Sequence, residues 1–85
     1  MYYVYILENI DDSKEHYIGY SSDLKQRVKK HNSDRNKGYT KGKRWKLVYY
    51  EAYLDKTTAL KRESRLKNHS GIRQSLYKRL SIVSK

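Results

Sequence analysis

The sequence predicts an α+β domain in which a three-stranded antiparallel sheet is flanked by three helices. Three observations carry that prediction. Residues 2 to 8 alternate in side-chain character, a second strand-like segment follows closely, and later stretches place apolar residues at helical spacing. The chain's 85 residues suit one hydrophobic core and one domain.

In the first segment Tyr3, Tyr5 and Leu7 share one face and Tyr2, Val4 and Ile6 the other, all strand-favouring types. Asn9 to Lys14 has the polar composition of a loop, and His16 to Tyr20 resumes a strand, so the pair reads as an antiparallel hairpin. If Ile18 packs with Val4 and Ile6, strand parity leaves Tyr5 and Tyr17 together on the opposite face, beside Gly19. Ser21, Ser22 and Asp23 offer N-caps for a helix reaching about Asn32, with Leu24, Arg27, Val28 and His31 on one face. A guanidinium and an imidazole at the edge of an apolar stripe cost too much for a helix that only packs, so this helix is expected to lie on the tyrosine-bearing side.

Ser33 to Arg44 reads as a basic loop containing Gly38 and Gly42, with Lys41, Lys43 and Arg44 as phosphate-contacting candidates. Trp45 to Tyr53 is a third strand, Val48, Tyr50 and Ala52 alternating against Leu47, Tyr49 and Glu51. Trp45 is expected to pack rather than to stack on bases. Asp55 to Thr58 starts a second helix in which Ala59, Leu60, Glu63 and Leu66 share a face. Asn68, Ser70 and Gly71 interrupt the pattern, and Ile72, Leu76, Leu80 and Val83 mark a short final helix. His16 and His69 lack a partner pattern and read as surface residues.

Composition narrows the function. Without cysteine, a disulfide framework, a thiolate zinc site and cysteine catalysis are excluded. No apolar run approaches the length of a signal h-region or a membrane span, which reads as a soluble cytoplasmic chain with no membrane partner. Twenty Lys plus Arg against nine Asp plus Glu give a net charge of +11, favouring a polyanion such as nucleic acid. From Lys56 onward Glu63 is the only acid among nine basic residues. A lone acid on an apolar stripe in a positive field calls for a cation. The bland alternatives are a solvated basic surface and, for Glu63, an ion pair with Lys67 or Arg62.

Tyr17-Ile18-Gly19, with Val4-Tyr5-Ile6 before it and Ser21-Ser22-Asp23-Leu24-Lys25-Gln26-Arg27 after it, resembles the GIY-YIG nuclease superfamily, in particular its small stand-alone bacterial members. His31 falls where members carry histidine or tyrosine. Lys46-Leu47-Val48-Tyr49-Tyr50-Glu51 resembles their third strand, and Ala59-Leu60-Lys61-Arg62-Glu63 the helix bearing their metal-binding glutamate. The match covers residues 1 to 80 as a single nuclease domain and leaves 81 to 85 as a basic tail. Tyr3 stands in place of the glycine of the first half-motif, and Asn68 lies too close after Glu63 to fill the family's late asparagine. No accessory recognition domain follows, so little sequence preference is expected.

The resemblance implies a metal-dependent endonuclease acting on DNA, with RNA as another possible substrate. Glu63 would anchor one Mg²⁺ or Mn²⁺ and Arg27 would pair with the scissile phosphate. Tyr5 or Tyr17 would orient or deprotonate water, and His31 would accept a proton from that phenol or hydrogen-bond the phosphate. Lys67 joins the basic loop as a nucleic-acid contact. The competing readings are a non-catalytic nucleic-acid-binding module of the same fold, a tyrosine nucleophile forming a covalent DNA adduct, and a basic ribosome-associated protein.

Overall fold

The computed structural model describes residues 1–33 and 38–83. It has strands β1 (Tyr2–Asn9), β2 (Asp12–Ser21) and β3 (Trp45–Tyr53), and helices α1 (Leu24–His31), α2 (Lys56–Asn68) and α3 (Ser70–Arg79). The strands form one antiparallel sheet in the order β2-β1-β3, the expected α+β architecture. No helix among the described residues is long and apolar enough to cross a membrane.

The pairing register sorts the side chains onto two faces. Val4, Ile6 and Ile18 form one core with Ala59 and Leu66 of α2 and Leu76 and Tyr77 of α3. Tyr5, Leu7 and Trp45 form a second, against which Leu24 and Val28 of α1 and Tyr17 pack. The sheet is therefore covered on both faces, and α1 lies on the tyrosine-bearing side as its amphipathic pattern predicts. Asp23 caps α1 by accepting from Gln26 N, and Asp55 caps α2 by accepting from Thr58 N, each satisfying an orphan donor of the first turn.

Several expectations are corrected. The segment assigned to a loop at Asn9 to Lys14 is largely strand, because β1 runs to Asn9 and β2 starts at Asp12; a register irregularity after Glu8 accommodates the polar residues there. In β3 the pairing passes from Ile6↔Tyr49 to Leu7↔Leu47, so Val48 is the extra residue of a bulge. The bulge turns Leu47 and Trp45 onto the face of Tyr50, opposite to simple alternation. Leu60 is exposed, leaving Ala59 and Leu66 as the buried residues of α2. Helix α3 ends at Arg79, with Leu80 its C-cap and Val83 exposed beyond it. The break between α2 and α3 is the single residue His69, which caps both, so Asn68, Ser70 and Gly71 are helical. The expected 81–85 tail and the basic loop at 33–44 both extend partly outside the described residues.

His16 is also corrected from a surface residue. Its side chain is 2 % exposed, Nε2 lies 3.1 Å from Glu8 Oε1, and its ring packs on Tyr77. Position 16 pairs with Glu8 across the hairpin, on the face that α3 covers.

Candidate active site

The site begins with Tyr5 in the central strand. Gly19 is its cross-strand partner, and a Cβ at position 19 would overlap the Tyr5 hydroxyl and ring. Only glycine lets the ring cross β2 in this way. The Tyr5 hydroxyl then lies 2.7 Å from His31 Nε2, and His31 Nδ1 lies 2.9 Å from Thr40 Oγ1. Tyr5, His31 and Thr40 are all buried.

This chain of groups has a definite electrostatic character. Burial, and secondarily the neighbouring Tyr17, push the Tyr5 phenol well above its ordinary value, with Glu63 acting in the same direction and Arg27 against it. Burial, then the charges of Arg27 and Lys30, push His31 down. A phenol held protonated donates, so Nε2 accepts, and a neutral imidazole then carries its proton on Nδ1 and donates it to Thr40.

The His31 shift predicts a pH dependence of stability. The unfolded chain titrates near about 6.5 and the folded one lower, so between the two values the unfolded state binds more protons. Stability is complete above about pH 6.5 and declines as pH falls through the folded value. Thermal melts between about pH 8 and about pH 5 are expected to show a falling Tm in the native chain and a shallower fall in His31→Gln.

Around this buried chain stand the more accessible groups. Tyr17, half-buried, lies 5.0 Å from His31 between ring centroids. Arg27 is half-buried on α1, one turn before His31. Glu63 on α2 pairs with Lys67 at 3.3 Å, and the Lys67 ammonium sits 5.5 Å from the centroid of the Tyr17 ring. The residue before Glu63 holds α2 in register. Arg62 donates from Nε and Nη2 to the two oxygens of Glu51 at 2.9 and 3.0 Å, and Tyr49 and Tyr53 donate to the same carboxylate. Burial pushes Glu51 up, but these hydrogen bonds outweigh it and hold the carboxyl below its ordinary value. Tyr49 and Tyr53 are pushed up to about 12 by burial and by their bonds to Glu51.

Tyr5, Tyr17, Arg27, His31 and Glu63 are thus brought into one neighbourhood. Of the expected nucleic-acid contacts, Lys67 is at that site and Lys41 is exposed. Lys43 instead pairs with Glu15 at 2.7 Å beneath the Tyr39 ring, and Arg44 pairs with Asp11 at 2.6 Å. Glu15 also accepts from Tyr39 and Asn9, and these bonds, that of Lys43 foremost, hold its carboxyl at about 2. Trp45 is buried, as expected, and fastens the loop: its indole donates to Thr40 O at 3.1 Å, while Asn32 brackets its backbone at 2.6 and 2.8 Å. Thr40 and Tyr39 are site residues that sequence reasoning missed, since their roles come from loop closure onto α1 and β2 and follow no periodicity.

Among the described residues no group of three or more His, Asp or Glu side chains gathers as a metal cluster. The donor at this site is one carboxylate, Glu63, whose Oε2 pairs with Lys67. A carboxylate oxygen is a hard donor and fits a hard divalent cation.

A strand-borne tyrosine pair, an arginine on the first helix and a glutamate on the second stand in one neighbourhood, in a chain that belongs to the GIY-YIG family: residues 1–80 match the model of the GIY-YIG catalytic domain. GIY-YIG nucleases act on nucleic acid and generally use a divalent metal. The chain is 40 % identical over 84 residues to a UPF0213 protein of Staphylococcus saprophyticus, covering 98 % of this chain and 94 % of that one. It is 37 % identical over 70 residues to a UPF0213 protein of Haloquadratum walsbyi, covering 81 % and 76 %. The solution structure of the UPF0213 protein BH0048 from Bacillus halodurans superposes with a TM-score of 0.56 at 34 % identity, covering 96 % of this chain and 87 % of that one.

Proposed function

We propose that this chain is a metal-dependent endonuclease that hydrolyses DNA phosphodiester bonds with little sequence preference, using one Mg²⁺ or Mn²⁺ and residues 1–80 as the catalytic unit. The observation that carries the reading is the gathering of Tyr17, Arg27 and Glu63 around the buried Tyr5–His31–Thr40 chain.

Each group has a role suited to its surroundings. Tyr5 is 1 % exposed, its phenol pushed up, and it is committed to His31, so it serves as a positioning residue. Tyr17 is left to orient the attacking water and take its proton, with the Lys67 ammonium 5.5 Å from the centroid of its ring. Arg27 offers a planar guanidinium to the scissile phosphate, where charge grows on the equatorial oxygens. His31, with both ring nitrogens engaged by side chains, fixes Tyr5 and the loop at Thr40. Glu63 would hold the divalent ion, which supplies charge neutralisation at the phosphate and the leaving oxygen.

Single-turnover cleavage separates the two tyrosines. Tyr17→Phe is expected to lower the rate by about 10²–10⁴-fold. Tyr5→Phe is expected to cost roughly tenfold, with a lower Tm because His31 Nε2 loses its buried partner. The reverse order of effects would move the proton-accepting role to Tyr5.

The Glu63–Lys67 ion pair favours a second reading, in which the carboxylate is satisfied within the protein and the chain binds nucleic acid without cutting it.

A further inference from the structure

Tyr17 and Lys67 border a second feature that the catalytic reading leaves unused. A cleft of about 420 Å³ opens between β2 and the helices α2 and α3, and Tyr17 and Lys67 are common to it and to the candidate active site. Its volume falls in the range of small-molecule sites.

The lining has two chemistries. Lys14 from β2 and Arg73 from α3 both face the cleft, and neither has an acidic partner among the described residues. Arg73 uses Nη1 to cap the end of α2, bonding Leu66 O at 3.0 Å and Lys67 O at 2.9 Å, which fixes the guanidinium against the cleft. The acid in the lining, Glu15, is saturated by Lys43, Tyr39 and Asn9. Beside these cations lies an aromatic wall. Tyr39 is 57 % exposed and stacks on Tyr17 with centroids 6.1 Å apart and planes 20° from parallel. His16, nearly buried, closes the cleft from below with an Nδ1 that has no hydrogen-bond partner among the described residues.

A fixed guanidinium and a second cation beside an exposed ring match a phosphate joined to a base. We propose that the cleft holds one unstacked nucleotide of the substrate strand next to the bond being cut, its phosphate on Lys14 and Arg73 and its base against Tyr39. This rests on the nuclease reading and extends it to a substrate class. A nucleotide inside an intact duplex is stacked and paired and must be extruded before it can enter such a cleft. Single-stranded, flapped or mismatched sites therefore admit it most readily.

The test uses the full chain, with deoxyadenosine 5'-monophosphate as probe and amide NMR as readout. Lys14→Glu and Gln74→Glu change exposed positions on the cleft, outside the catalytic groups. The probe is expected to shift the signals of Lys14, Tyr39 and Gln74, and each variant to weaken its binding by roughly tenfold. In cleavage of single-stranded DNA both variants are expected to raise KM with kcat preserved. Probe shifts outside the cleft, or affinity and KM unchanged in both variants, overturn the cleft even if DNA is cleaved. Variant-sensitive probe binding in a chain that cleaves no DNA under any metal condition upholds the nucleotide site and overturns the nuclease reading instead.

Discussion

Arg27→Ala is expected to lower kcat for DNA cleavage by about 10²–10³-fold while KM stays within a few-fold, because the lost contact strengthens as charge develops on the phosphate. Arg27→Lys is expected to recover little of this, since a point charge cannot reproduce a planar bidentate donor. The substitution also has a readout independent of turnover. The Arg27 charge is one of the influences that push His31 down and the Tyr5 phenol down against burial. In Arg27→Ala the His31 titration, followed by NMR, therefore moves upward. A variant with normal kcat and a displaced His31 titration would keep Arg27 beside the buried chain and remove it from the chemistry.

Gly19→Ala is expected to destabilise the fold by about 1–3 kcal/mol, a fall in Tm of roughly 10 °C for a domain of this size. The added methyl collides with the Tyr5 ring and hydroxyl, which have no free space because Tyr5 is 1 % exposed and bonded to His31. Relief requires the ring to leave His31, so cleavage should fall along with stability. The cause is testable by a double-mutant cycle: in a Tyr5→Ala background the same Gly19→Ala change is expected to cost little, since the ring that the methyl would meet is gone. Equal costs in both backgrounds would place the effect in the backbone of β2.

These expectations also mark how far the sequence was readable. Strand parity placed Tyr5 and Tyr17 on one face, and Asp23 and Asp55 announced the starts of α1 and α2, because side-chain alternation and capping are local properties. The family resemblance, carried mainly by Tyr17-Ile18-Gly19 and the spacing to Arg27 and Glu63, is matched over residues 1–80. What escaped was set by contacts between distant segments. The bulge at Val48 reverses the faces of Leu47 and Trp45, and no residue at that position signals it. Thr40 has no pattern of its own; Trp45 and Asn32 bring it to His31 by closing the loop. The choice between Tyr5 and Tyr17 depends on burial, which two tyrosines in similar strands do not display in sequence. His16 reads as a surface residue until Glu8 and Tyr77 are seen around it.

Glu63 is expected to serve metal-dependent cleavage and the basic surface to serve binding. The most direct measurement is single-turnover cleavage of end-labelled single-stranded and branched DNA with Mg²⁺, Mn²⁺ or chelator, using the native chain and Glu63→Ala, with DNA affinity measured in parallel. The native chain is expected to cut only with the divalent ion, and Glu63→Ala to bind within a few-fold of native but not to cut. Cleavage in chelator or by Glu63→Ala would contradict this, as would native binding without cleavage across every ion and substrate.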